Sequence, residues 1–207
     1  MPRTCKGSLI CGIGYSSQIH PITVGGCKVK EYETWRSILK RCYDETYHVR
    51  EPTYEGCIVS NEWLYYDNFY EWITTQENYH KWKDGERWSI DKDIRCKGNK
   101  LYSKDYCFLV PQNVNSLFTN RRLHRGQHPI GVDYLRKLNK FRASCMNPFT
   151  VKQEHIGVYD TLDDAFNAYK IYKENIIKCV AEQEYLNGNI TVECMNAMLQ
   201  YKIEIND

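Results

Sequence analysis

Apolar positions recur with helical spacing in the segment EYETWRSILKRCY, which begins at Glu31. Trp35, Ile38, Leu39 and Cys42 fall at i, i+3, i+4 and i+7 and predict an amphipathic helix with its basic residues on the opposite face. Upstream, residues 1–28 are rich in Gly, Ser and Cys and read as strand or loop. Residues 44–60 hold Pro52 and Gly56 and read as a polar loop that leads into the apolar step CIVS. In NEWLYYDNFYEWITTQ (61–76), Trp63, Tyr66, Phe69, Tyr70 and Ile73 share one side, predicting a helix with Asn61 as its N-cap.

The pattern then shortens. RWSIDKDI and YCFLVP read as strands separated by the turn KGNK, and PQNVNSLFTNRR starts a helix with Pro111 in its first turn. The order is strand, turn, strand, helix, a ββα unit. Beyond Gly126, PIGVDYLRKLN, KFRASCMNPF and KQEHIGVYDT alternate as three strands. A helix follows, with Thr161 as N-cap and Asp163 and Asp164 in the first turn, where the helix dipole favours acids. Its predicted buried stripe is Ala165, Phe166, Ala168, Tyr169, Tyr172, Ile176 and Val180. The two small alanines let it lie close on the sheet. A last helix is predicted over roughly 191–203. The fold class is therefore α+β, a ββα module followed by a three-stranded antiparallel sheet packed on a helix.

Composition adds bounds. The 207 residues, 42% hydrophobic and 26% charged, suit one or two globular domains. No apolar run approaches the roughly 18 residues of a membrane span. The first residues show no signal-peptide core, so a cytoplasmic protein with no membrane partner is expected. None of the ten cysteines forms a CxxC pair, which favours reduced thiols acting as small hydrophobes over a zinc site. The net charge of +2 is uninformative, but its distribution is not. From Arg121 to Asp160, eight basic residues (Arg121, Arg122, Arg125, Arg136, Lys137, Lys140, Arg142, Lys152) face three acids (Asp133, Glu154, Asp160). That is a footprint for phosphate binding or an ordinary basic face.

Two stretches carry resemblances. Gly131-Val132, NKFRASC and HIGVYDTLDDAFNAYKIY resemble the plant ethylene-response-factor (Apetala-type) DNA-binding domain over Ile130 to about Lys178. The resemblance implies a sheet laid in the major groove of double-stranded DNA. Its contact residues here would be Tyr134, Arg136, Lys137, Lys140, Arg142, Lys152 and His155, with the basic cluster adding Arg121, Arg122 and Arg125. Ile90-Asp91-Lys92-Asp93, Gly98-Asn99, Tyr102-Ser103, Cys107 to Pro111 and Val114-Asn115 resemble the HNH nuclease module of phage and mobile-element homing endonucleases. Together these imply an N-terminal segment (1–30), an HNH-like module with lead-in helices (31–124), an Apetala-type domain (128–183) and a C-terminal helix (184–207).

The HNH resemblance implies a DNA hydrolase holding one Mg²⁺ or Mn²⁺ at Asp91 and Asn115, with Asp93 or Asn113 assisting, to make a nicking or homing endonuclease. Hard oxygen ligands suit Mg²⁺, which keeps several waters and needs few protein groups. Lys92 stands where that family places its catalytic histidine, and a lysine with an ordinary pKa near 10.4 accepts no proton at neutral pH. Lys92 is then expected to stabilise charge on the phosphate, with His80 or His124 as candidate bases. The Asn that ties the hairpin in that family is replaced by Tyr106. The alternative is a catalytically degenerate HNH-fold DNA-binding protein. A further one is a phage protein acting on host factors through protein contacts.

Overall fold

The helix expected from the Trp35–Cys42 spacing forms as Lys30–Tyr43 (α1) in the computed structural model, which describes residues 9–85, 87–119 and 127–207. Before it, Thr23–Val24 (β1) and Cys27–Lys28 (β2) pair antiparallel. The chain divides into two compact units, passing from the first to the second between Leu109 and Val110.

In the first unit, α1 buries Tyr32, Trp35, Ile38, Leu39 and Cys42 in one aromatic-rich core with Trp63, Tyr66, Phe69 and Ile73. The Trp35 indole N–H donates to the Trp63 carbonyl at 2.7 Å, so its ring is buried with no polar cost outstanding. The expected polar loop after α1 contains a short helix, Glu45–Arg50 (α2), capped by Asp44 Oδ1, which accepts from the Tyr47 N–H. Strand Ile58–Val59 (β3) follows. The helix expected over 61–76 is corrected: Asn61–Leu64 is a 3-10 turn, and the α-helix is Tyr66–Thr74 (α3). Asn61 caps nothing. Tyr15 donates to the Leu64 carbonyl and its own carbonyl accepts from Tyr66, and this pairing holds Tyr65 extended and breaks the helix.

A helix that the apolar pattern did not announce, Tyr79–Lys83 (α4), is tied to α1 through Glu31. The buried Glu31 carboxylate accepts from Tyr79 and from Lys83 at 2.5 Å. Against burial, which raises it, these bonds bring the Glu31 carboxyl below its ordinary value. Next come Trp88–Asp91 (β4), Leu101–Tyr102 (β5) and Phe108–Pro111 (β6). β4 and β6 form a two-stranded sheet, while β5 runs parallel to β3 with Ile58 opposite Leu101.

The second unit starts with Gln112–Leu117 (α5), shorter than the sequence pattern suggests and with Pro111 at the N-cap. Val132–Leu135 (β7), Lys140–Asn147 (β8) and Lys152–Tyr159 (β9) make the expected antiparallel sheet in the order β7-β8-β9. Leu162–Leu186 (α6), a 25-residue helix, packs on it. Thr161 caps α6 by accepting from the Asp164 N–H, as its hydroxyl donates to the Asp164 carboxylate. Ala165, Phe166, Tyr169, Ile176 and Val180 are buried as expected, Ala168 and Tyr172 only half so, and Ile177 and Ala181 complete the stripe. Val192–Gln200 (α7) ends sooner than expected and is capped by Thr191.

Candidate metal and nucleic-acid site

Asp91 is the last residue of β4, where the chain leaves the sheet and turns back on itself. Its Oδ1 accepts from the backbone N–H groups of Asp93 and Ile94, each at 2.8 Å, which fixes the carboxylate rotamer. No hydrogen bond engages Oδ2 among the described residues. The side chain is only 7% exposed. Burial pushes its carboxyl up to about 6, the nearby Asp93 charge adding and the two backbone bonds opposing. Asp91 has no ion pair among the described residues, although the Lys92 charge nearby partly opposes the rise, and a divalent ion is the kind of group that offsets such a buried charge.

Lys92 points elsewhere. Its ammonium donates to both Asp93 carboxylate oxygens, at 2.9 and 2.8 Å, and to the Asn99 carbonyl at 2.6 Å. It is 9% exposed and lies 5.8 Å from the centre of the Tyr102 ring. Lys92 therefore braces the hairpin from inside, and Asp93 is turned to Lys92.

Asn99, which the sequence reading named only within the resemblance, has a structural role. Its amide donates to the carbonyls of Lys92 at 3.0 Å and Leu101 at 2.7 Å, and its oxygen accepts from the Leu101 N–H at 3.0 Å. The hairpin tie thus comes from the Asn of KGNK, and Tyr106 has no need to supply it. The signal was the Gly98-Asn99 pair, with Gly98 at φ +72°, a turn that brings the amide back onto its own loop. Asn99→Ala is expected to cost about 2 kcal/mol by urea denaturation, because two carbonyls and one N–H lose their partner together.

Of the other metal candidates, Asn115 lies on α5 in the second unit, and its side-chain amide makes no hydrogen bond among the described residues. Asn113 is occupied, donating to Glu184 at 2.6 Å. His80 is exposed on α4 against the Tyr79 ring. Among the described residues no group of three or more His, Cys, Asp or Glu side chains could hold a metal, and the described cysteines are free thiols.

The register of the second unit's sheet sorts the DNA-contact candidates. Asp133, Arg142 and Val158 are aligned across the strands, as are Val132, Ala143 and Gly157. Ala143 is fully buried, so its row faces α6 and the Arg142 row faces away. Lys140, Arg142 and, beyond the bulge at Ala143/Ser144, His155 share the outward row. Tyr134 pairs with Phe141 in the other row, where its ring meets Phe141 and His128. Arg136 and Lys137 lie in the β7–β8 loop, and Lys152 pairs with Asn147 where β9 begins. Arg142 is paired with Asp133 at 2.8 Å and Lys140 with Asp160 at 3.0 Å. Arg136, Lys137 and Lys152 carry no ion pair among the described residues. Arg121, Arg122, Arg125 and His124 lie outside the described residues.

Comparison with family models, curated proteins and solved structures found no match. Among the described residues no helix is long and apolar enough to cross a membrane.

Proposed function

We propose that the chain is a DNA endonuclease of HNH type that works with Mg²⁺ or Mn²⁺. The observation that carries this reading is the Asp91 carboxylate: buried, fixed through Oδ1, and with Oδ2 unengaged among the described residues, at the end of β4. Asp91 would hold the ion. The bound ion would polarise the scissile phosphate and offset charge on the leaving 3′ oxygen. The chain's own part is orientation. Asn99 and the Lys92–Asp93 pair hold the turn that presents Asp91, and the paired or free cations of the sheet meet the duplex backbone.

Supercoiled plasmid incubated with Mg²⁺ or Mn²⁺ tests the reading: nicks that EDTA suppresses support it, and an intact plasmid in both metals removes it. A second reading, a DNA-binding protein with a degenerate HNH hairpin, is favoured by Lys92, whose ammonium is held by Asp93 and the Asn99 carbonyl rather than presented as a catalytic group.

Both readings place duplex DNA on the sheet, and the ion pairs there make a sharp expectation. Asp133→Asn frees Arg142 for phosphate, so duplex affinity rises and the log–log salt dependence steepens by about 0.9. Fluorescence anisotropy across a salt series measures both. An unchanged slope assigns Arg142 to the sheet alone.

A further inference from the structure

The β7–β8 and β8–β9 connections have the same design but different side chains: the first carries Arg136 and Lys137 beside an exposed Leu138, the second Phe149 and Val151. Leu135 pairs with Lys140 and Asn147 with Lys152, leaving loops 136–139 and 148–151. Each loop ends on a left-handed residue, Asn139 at φ +52° and Val151 at φ +54°. Asn is a residue that adopts this conformation readily, whereas a β-branched side chain there is strained. The strain at Val151 secures no burial, since the side chain is 78% exposed. Phe149, in the same loop, is 49% exposed.

The polar side chains in and beside this loop bond within it. Asn147 Oδ1 accepts from the Phe149 N–H at 2.9 Å, and the Asn147 amide donates to Glu154 and to the Tyr172 hydroxyl of α6, both at 3.4 Å. The Thr150 hydroxyl donates to Glu154 at 3.1 Å. The loop is therefore anchored through its polar groups while an aromatic and a branched aliphatic side chain are held out in water. Two neighbouring exposed apolar side chains on a hydrogen-bonded turn, one of them on a strained backbone, mark a contact element.

We propose that Phe149 and Val151 form an apolar wedge that enters between base pairs of a DNA duplex, an inference that rests on the DNA-binding reading above. Charge selects this occupant. The acids on the sheet, Asp133 and Asp160, are neutralised by Arg142 and Lys140, and the Glu154 carboxylate is engaged by Asn147 and Thr150. Among the described residues the Glu154 carboxylate is turned to Asn147 and Thr150, and the cations without an ion pair at the two loops are Lys152 beside the wedge, and Arg136 and Lys137 at the other end of β8. That strand spans about 25 Å at roughly 3.3 Å per residue, or about seven base pairs at 3.4 Å each. One loop thus reaches phosphates while the other presses an apolar tip on a base step, a division of work by which wedge-bearing proteins kink DNA.

The test uses the full chain, a duplex labelled at both ends for energy transfer, and a second duplex carrying 2-aminopurine at successive steps. Phe149→Ala is expected to lower duplex affinity at least about tenfold, since it removes the larger part of the wedge. It should also abolish the end-to-end shortening and the 2-aminopurine signal, and leave the salt slope unchanged. Val151→Asn is expected to weaken binding and yet raise the melting temperature, because it relieves the left-handed strain. Arg136→Ala with Lys137→Ala should flatten the salt slope and keep the 2-aminopurine signal. If the wild-type chain binds no duplex, the DNA-binding reading fails and the wedge with it. If it binds with the same affinity and bend after Phe149→Ala, the wedge alone is overturned. Insertion of the loop into anionic vesicles, with no unstacking of DNA, would also overturn it.

Discussion

Replacing Asp91 by asparagine is expected to abolish metal-dependent nicking, by about a thousandfold or more, and at the same time to make the metal-free protein more stable at neutral pH. The isosteric amide keeps an oxygen for the Asp93 and Ile94 N–H groups but removes the charge that a divalent ion requires. The stability gain follows from the raised carboxyl. Its value is about 6 in the folded chain and near 3.9 in an unfolded one. Below the unfolded value both states are protonated and burial of Asp91 costs little. As pH rises from about 4 through 6, the unfolded chain ionises first, and this contribution to stability is lost. Above pH 6 the buried charge costs about 3 kcal/mol, which Asp91→Asn removes. Urea denaturation in EDTA at pH 4.5 and 7.5 measures it: the variant's advantage should be small at the lower pH and reach up to about 3 kcal/mol at the higher. Asp91→Ala serves as the contrasting variant, because it strands two backbone donors and should lower stability at both. Equal stability of Asp91→Asn and wild type at pH 7.5 would mean that solvent reaches the carboxylate freely.

Gly131→Ala should largely unfold the second unit. Gly131 has φ +76°, a conformation that costs an L-residue about 1–2 kcal/mol. A Cβ built on it would stand 2.1 Å from the Tyr169 ring, which is itself buried against the sheet. The ring is not the loose end of a flexible chain, so α6 has to shift to make room, and overpacking of this kind adds about 1–3 kcal/mol. Thermal denaturation followed by circular dichroism checks the expected total of about 3 kcal/mol or more. Removing the ring as well, in Gly131→Ala with Tyr169→Ala, should leave only the backbone strain and the lost packing of Tyr169, so the two losses should not add.

The sheet, α6 and the core of α1 were legible because their signals are local and repeated. Thr161 with Asp163 and Asp164 marks a helix start, and Trp35 to Cys42 keep one helical face over two turns. What the sequence hid depends on partners far along the chain. Tyr15 ends the 3-10 turn before α3, and Glu31 fixes α4 through Tyr79 and Lys83, pairs that no local window contains. At the candidate site, Asp91 stood out by resemblance, but its fixed rotamer and the inward aim of Lys92 come from hairpin geometry. The parity of Tyr134 was readable in principle from strand alternation. It was obscured because its row at the sheet's end is an aromatic cluster with Phe141 and His128, half open to solvent.

The parallel pairing of β3 with β5 bears on how much of the chain this hairpin needs. Ile58 and Val59 lie opposite Leu101 and Tyr102, and the Ile58 N–H donates to the Lys100 carbonyl beside the Asn99 turn. Such contacts close a long stretch of chain before they return any stabilisation, so the turn that orients Asp91 depends on residues well upstream of it. A fragment limited to residues 88–117 lacks the strand that β5 needs and should remain unstructured in water. Shuffling the short motif alone into another scaffold would therefore transfer letters without shape. The smallest portable unit would include the lead-in residues, so a change at Ile58 or Val59 is expected to disturb the turn that they support.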